Sequence, residues 1–235
     1  MNARRLLSLV AGLMSTCALA APGRVAAEPP PKVQIPQPGV PQIMTMEGRY
    51  VRAAYNNEGY VILGYRLVNL SVGEPWMLLE IGVALREGVP DYDLAREAVS
   101  LDTPDGKTLP LPPVSEYRKA NLSALQARSK VQRDSINYFP PNAYRPCRIG
   151  FFADLEDRAL PWDKVQLTSQ LGCVGRLYFE IPGGITYGQH WLNVKFQKSL
   201  IRVPFRVLTK TEDEHLEENF RDIKKQVDEA FRKKS

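Results

Sequence analysis

Residues 76–86, WMLLEIGVALR, decide the fold of this chain, because their apolar side chains recur at every second position. Alternate side chains of an extended strand point to opposite faces of a sheet, so one face here is apolar and the other carries Glu80 and Arg86. Residues 201–207 repeat the pattern, with apolar side chains on one face and two arginines on the other. Both segments are therefore predicted to be strands, and Pro204, which cannot donate a ladder hydrogen bond, places the second at a sheet edge.

Similar aromatic and β-branched runs continue along the chain, separated by the turn-forming residues Gly, Pro, Asn and Asp. Few long helices intervene, which favours antiparallel strands and a mainly β fold. We predict an antiparallel immunoglobulin-like β-sandwich over residues 49–209, a likeness of architecture that rests on no family motif. The predicted strands cover residues 49–55, 60–70, 76–86, 97–102, 107–111, 147–153, 163–169, 173–181, 190–196 and 200–208.

The first 48 residues are predicted to lie outside the sandwich. Arg4 and Arg5 precede an apolar run and then small residues up to Ala20, the order of regions typical of a secretory signal peptide over residues 1–20. Residues 21–48 are rich in proline, which predicts an extended, disordered linker. No later stretch is long and uncharged enough to span a bilayer, so we expect a secreted or periplasmic protein without a transmembrane segment.

Two cysteines remain once the predicted signal peptide is removed, Cys147 and Cys173. In the alternation of their strands, both share a face with apolar residues, so both sulfur atoms are expected to point into the core. An even cysteine count in an oxidising compartment favours a disulfide between them. Two buried free thiols are the alternative.

A helix is predicted over residues 115–133, inserted between strands, with Ser115 as its N-cap. No acidic residue lies between Glu116 and Asp134, so the insertion is basic. Its cationic residues are candidates for contact with an anionic surface: Arg118, Lys119, Arg128, Lys130 and Arg133.

A second helix is predicted over residues 211–234, with a capping box formed by Thr211 and Glu214. Its apolar residues recur at spacings of three and four, which indicates one apolar seam along an amphipathic helix. The seam could pack on its own domain, or it could bind a protein partner or a second copy of the chain. Its members are Leu216, Phe220, Ile223 and Val227.

Candidate catalytic residues are few. His190 heads a strand on its apolar face, where it could be a buried general base, although a structural histidine is the commoner outcome. The carboxylates of Asp154, Glu156 and Asp157 cluster at a turn but match no calcium loop, and we expect no metal site and no cofactor. The tryptophans at 76, 162 and 191 are interpreted as core or core-rim residues, with an aromatic sugar-binding platform as the alternative.

The sequence therefore favours a non-enzymatic binding module, but it does not identify the ligand. The net charge of +5 includes Arg4 and Arg5 of the leader, so the remaining excess is too small to argue for nucleic acid. Two other hypotheses stay open at this point. One is binding to an anionic surface or cell-envelope component through residues 118–133, and the other is a hydrolase that uses His190 with a carboxylate.

Overall fold

A computed structural model describes residues 42–152 and 160–232, of which 40% are strand and 24% helix. The mainly β prediction is therefore confirmed. The strands are β1 (Ile43–Gly48), β2 (Val51–Tyr55), β3 (Gly59–Gly64), β4 (Trp76–Leu85), β5 (Tyr92–Ala95), β6 (Val99–Asp102), β7 (Thr108–Pro110), β8 (Arg145–Ile149), β9 (Lys164–Leu167), β10 (Leu171–Glu180), β11 (Gly188–Lys195) and β12 (Leu200–Val207). The helices are α1 (Arg66–Asn69), α2 (Val114–Lys119), α3 (Ser123–Val131), α4 (Lys210–Glu218) and α5 (Phe220–Arg232).

The strands form a six-stranded sheet in the order β1-β2-β3-β4-β10-β8, a four-stranded sheet in the order β12-β11-β6-β7, and the pair β5-β9. Strand β12 is an edge strand, as its proline predicted. The expectation of purely antiparallel pairing is wrong for β8 and β10, which run parallel. Parallel neighbours need a crossover, and here the chain leaves the sheet after β8, passes through β9 in another sheet, and returns.

One hydrophobic core takes residues from both larger sheets. The apolar faces identified in the sequence supply it, with Leu79 and Ile81 of β4 and Val203 and Phe205 of β12 all 2% exposed or less. The structure thus establishes a mainly β fold with mixed and antiparallel sheets, while its immunoglobulin-like arrangement stays a prediction.

The second face of the six-stranded sheet is partly covered as well, whereas the sequence pattern indicated a sheet with one buried side. An irregular segment of residues 132–144, which we call the strap, lies over this face. Ile136 and Phe139 of the strap pack against a small cluster of β2 and β3 residues. Gly82 permits this approach, because a Cβ atom there would lie 2.8 Å from the Phe139 ring.

Several predicted boundaries are wrong. Strand β1 lies within the predicted linker 21–48, because Met44 and Met46 alternate as buried residues of a strand paired with β2. Strand β5 was not predicted, and the predicted strand 60–70 ends at Gly64 before α1. Residues 1–41, including the predicted signal peptide, lie outside the described part of the chain.

The predicted helix 115–133 is two helices, α2 and α3. Ala120 between them has extended backbone angles (φ −75°, ψ 139°), and Ser115 lies inside α2 rather than at its cap. The break lets each helix bury its own apolar side chains, Tyr117 from α2 and Leu125 from α3.

The predicted helix 211–234 is also divided, at Asn219 between α4 and α5. Its capping box exists but lies two residues earlier than predicted, between Thr209 and Glu212. Glu212 is fixed there because its carboxylate also accepts a hydrogen bond from Arg206 of β12 at 2.7 Å. The described part of the helix ends at Arg232.

Candidate functional site

The predicted disulfide between Cys147 and Cys173 is present. The two residues are direct partners in the parallel pairing of β8 and β10, with their Cα atoms 4.1 Å apart. Cys173 is fully buried and Cys147 half-buried. The bond is consistent with an oxidising compartment.

The basic residues of the insertion do not share one helix. Arg118 and Lys119 are exposed at the end of α2, whereas Arg128 of α3 forms a salt bridge with Glu74 at 2.5 Å. Lys130 is exposed on α3, and Arg133 lies beyond that helix in the strap. A continuous basic helix is therefore not available to bind an anionic surface.

The apolar seam of the C-terminal helices contacts their own domain. Leu216 is buried, and Phe220, Ile223 and Val227 are half-buried. Phe231, which the sequence analysis did not include in the seam, is buried in the main core.

Polar contacts of α5 also fix it to the free edge of β1. Asp228 Oδ1 accepts a hydrogen bond from the Met46 amide at 3.0 Å, and Lys224 donates to the Met46 carbonyl oxygen. The helix thus supplies both hydrogen-bond partners that the outward-facing backbone of Met46 needs.

His190 is fully buried and stacks on Phe205 with ring centroids 5.3 Å apart. Its Nδ1 lies 3.1 Å from the Gly188 carbonyl oxygen, and its Nε2 has no hydrogen-bond partner among the described residues. Burial lowers the pKa of His190 to about 4. This environment keeps the imidazole neutral and away from solvent, which suits a packing role. The carboxylates at 154, 156 and 157 lie outside the described residues.

Three arginines converge on a groove of about 620 Å³ beside the strap, on the outer face of the six-stranded sheet. Arg148 comes from β8, Arg176 from β10 and Arg133 from the strap. We call this cavity the arginine groove. Its other polar lining residues are Glu80, Asp134 and Asn137, and Ile149, Phe152 and Val174 contribute apolar surface.

Strand register explains why two of these arginines lie together. Arg148 pairs with Val174, and Arg176 pairs with Glu80 on β4. Because side chains alternate, Cys147 and Cys173 point into the core while the residues that follow them point to the groove. The disulfide therefore joins, from the core side, the two strands that carry Arg148 and Arg176.

A buried pair of carboxylates forms one wall of the groove. Glu80 Oε2 accepts a hydrogen bond from the Asp134 amide at 2.8 Å, and the Arg133 Nε lies 3.6 Å from Glu80 Oε1. The Asp134 carboxylate in turn accepts from the amide of Arg66 at 2.8 Å and from its Nε at 3.1 Å. Burial raises the pKa of Glu80. The groove thus presents guanidinium donors next to carboxylate acceptors.

Of the groove residues, only Arg133 was singled out from the sequence. The alternation around Cys147 could have indicated that Arg148 faces away from the core. The pairing of β8 with β10, which brings Arg176 beside it, could not be read, because strand order is not a local property of the sequence.

The tryptophan interpretation is confirmed in part. Trp191 is buried and Trp76 half-buried, but Trp162 is 57% exposed and is not a core residue. Its amide donates to the Gly150 carbonyl oxygen at 2.7 Å, so its backbone is fixed beside the end of β8.

Within residues 42–152 and 160–232, no helix is both long and apolar enough to cross a bilayer. The same ranges hold no group of three or more His, Cys, Asp or Glu residues with the geometry of a metal site.

Comparison with protein-family models, with curated proteins and with solved structures finds no match to this chain.

Proposed function

We propose that this protein is a secreted or periplasmic, non-enzymatic binding module that holds an anionic ligand in the arginine groove. The observation that carries the proposal is the convergence of Arg133, Arg148 and Arg176 on one cavity large enough for a small molecule or for part of a polymer.

Guanidinium groups suit this role for a physical reason. Each is always charged and presents a rigid fork of N–H donors that matches a carboxylate or phosphate in a bidentate manner. In a partly enclosed groove these charges are less screened than on an open surface, so an anion gains more from them.

The leader pattern of residues 1–20 and the disulfide support a location outside the cytoplasm. An immunoglobulin-like sandwich is the architecture we propose for the module. Its support is the main hydrophobic core, which takes residues from both larger sheets.

The proposal is tested by calorimetric titration of the purified chain with two probes, tricarballylate and trigalacturonate, at low and high salt. We expect at least one probe to bind, more weakly as salt rises, and we expect the double variant Arg148→Ala/Arg176→Ala to lose that binding. The matched control is Arg118→Ala/Lys119→Ala, which removes two exposed cations outside the groove and should bind as the wild type does. Equal binding by both double variants, or no binding of either probe by the wild type, would overturn the proposal.

A further inference from the structure

We propose that the ligand of the arginine groove is an acidic saccharide, a sugar chain that carries carboxylate or phosphate groups, and that Trp162 is the platform on which one of its rings stacks. This inference rests on the proposed anion-binding function and specifies its ligand class.

The position of Trp162 is the first observation. Its indole lies over Gly150, with Cε3 3.6 Å and Cδ2 3.8 Å from where a Cβ atom of that glycine would be. Gly150 directly follows Ile149 and precedes Phe152 by two residues, and both of these line the groove. The indole therefore lies over the stretch of chain that joins these two lining residues, beside the groove rather than among the residues that line it.

The exposure of Trp162 is the second observation. A tryptophan side chain has a large apolar surface, so its burial is strongly favourable. Trp162 nevertheless leaves 57% of its surface exposed to water, although a backbone hydrogen bond fixes its main chain. A flat apolar ring beside a polar groove offers a stacking surface to a ligand, and the backbone hydrogen bond of Trp162 limits the conformational entropy that stacking would cost. The C–H face of a pyranose ring is apolar and flat enough to cover it.

The carboxylates of the groove are the third observation, and they discriminate between anions. A bare phosphate or carboxylate bound to the arginines would lie near Glu80 and Asp134, whose charges disfavour it. A ligand that also carries hydroxyl groups can use the same carboxylates as hydrogen-bond acceptors, together with the amide of Asn137. Anionic groups, hydroxyl donors and a flat C–H face occur together in acidic saccharides.

The test compares three probes by calorimetry at one salt concentration. Trigalacturonate carries carboxylates, hydroxyls and pyranose rings, tricarballylate carries carboxylates alone, and maltotriose carries hydroxyls and rings without charge. We expect trigalacturonate to bind at least about tenfold more tightly than tricarballylate, with no detectable binding of maltotriose.

Variants of Trp162 then isolate the stacking contribution. Trp162→Ala should weaken trigalacturonate binding by about tenfold and leave tricarballylate binding unchanged, while Trp162→Phe should retain part of the difference. The matched control is Leu160→Ala, which removes a neighbouring side chain that is 75% exposed and should bind both anions as the wild type does.

The outcomes separate the two proposals. If trigalacturonate and tricarballylate bind equally well, or if Trp162→Ala weakens both to the same extent, the saccharide inference is wrong and anion binding survives. If neither anion binds, both proposals are wrong.

Discussion

At the scale of single residues, His190 shows how burial determines charge. The imidazole is fully buried against Phe205, and desolvation lowers its pKa to about 4 from 6.5. In the unfolded chain the imidazole therefore binds a proton below about pH 6.5, whereas in the folded chain it binds one only below about pH 4. The contribution of His190 to the free energy of unfolding is therefore complete above pH 6.5 and is lost progressively as the pH falls from 6.5 to about 4.

The corresponding experiment replaces His190 with Asn, whose amide can still donate to the Gly188 carbonyl. We expect protonation of His190 in the unfolded state to lower the free energy of unfolding of the wild type by about 3 kcal/mol between pH 6.5 and 4. The variant should not show this decrease. Denaturant unfolding across the pH range measures it, with His215→Asn, at an exposed site, as control. Identical slopes in the wild type and in His190→Asn would contradict the assignment.

Glu80 is the opposite case, because its burial raises the pKa of a carboxyl group. The folded state favours the protonated carboxyl group of Glu80. The contribution of this group to the free energy of unfolding is therefore present at low pH and is lost as the pH rises through the pKa of the folded state. Glu80→Gln keeps an acceptor for the Asp134 amide and removes the buried charge.

We expect Glu80→Gln to raise the melting temperature by a few degrees at pH 7 to 8 and to change it little near pH 4. Differential scanning calorimetry at both pH values provides the measurement. Glu74→Gln, which removes a half-exposed carboxylate paired with Arg128, should show no such gain. A destabilised Glu80→Gln at neutral pH would mean that Glu80 is held there as a stabilising anion.

At the scale of secondary-structure elements, α5 is a cover for the free edge of β1. An uncovered edge strand offers unpaired backbone groups to other chains, and here Lys224 and Asp228 satisfy those of Met46. Phe231 adds an apolar contact to the main core.

Removal of α5 by ending the chain at Asn219 should therefore lower the melting temperature by several degrees and promote self-association. Thermal unfolding and light scattering report the two effects. The double variant Arg221→Ala/Lys225→Ala alters only exposed positions of the same helix and should behave as the wild type does. A truncated chain that associates no more than the wild type and is equally stable would show that α5 does not protect the edge of β1.

Strand β8 lies at the opposite edge of the same six-stranded sheet, and the disulfide joins it to β10. Replacement of Cys147 and Cys173 by Ala should lower the free energy of unfolding by about 3.5 kcal/mol in the chain-entropy account of loop closure. Because Arg148 follows Cys147 directly, the same change should weaken anion binding in the groove. Denaturant unfolding and the titrations described above measure both effects, with dithiothreitol-treated wild type as a second route to the same state. Full ligand affinity in the folded double variant would show that the groove does not depend on the disulfide.

At the scale of the whole molecule, the sequence predicted what depends on local alternation. The buried faces of β4 and β12 and the pairing of the cysteines follow from side chains at every second position. The second face of β4 was not predicted to be buried, because the strap that covers it has no periodic pattern. The groove was missed for a related reason, since Arg133, Arg148 and Arg176 meet only through strand order and through the path of the strap.

The proposed location outside the cytoplasm has its own test. Expression of the full chain should yield an exported product whose amino terminus is Ala21, or Glu28 if a second cleavage site is used. Amino-terminal sequencing of the exported protein identifies the site. Leu9→Arg interrupts the apolar run of the leader and should block export. Export of that variant at the wild-type level would contradict a signal peptide.

The parallel pairing of β8 with β10 sets an order of events during biosynthesis. The segment that becomes β8 is synthesised before its neighbour β10 in the sheet, since Cys173 follows Cys147 by 26 positions. The disulfide to Cys173 can therefore form only after the chain has been synthesised as far as β10. Strand β10 is the last strand of the six-stranded sheet to be synthesised, so the bond closes that sheet at its β8 edge.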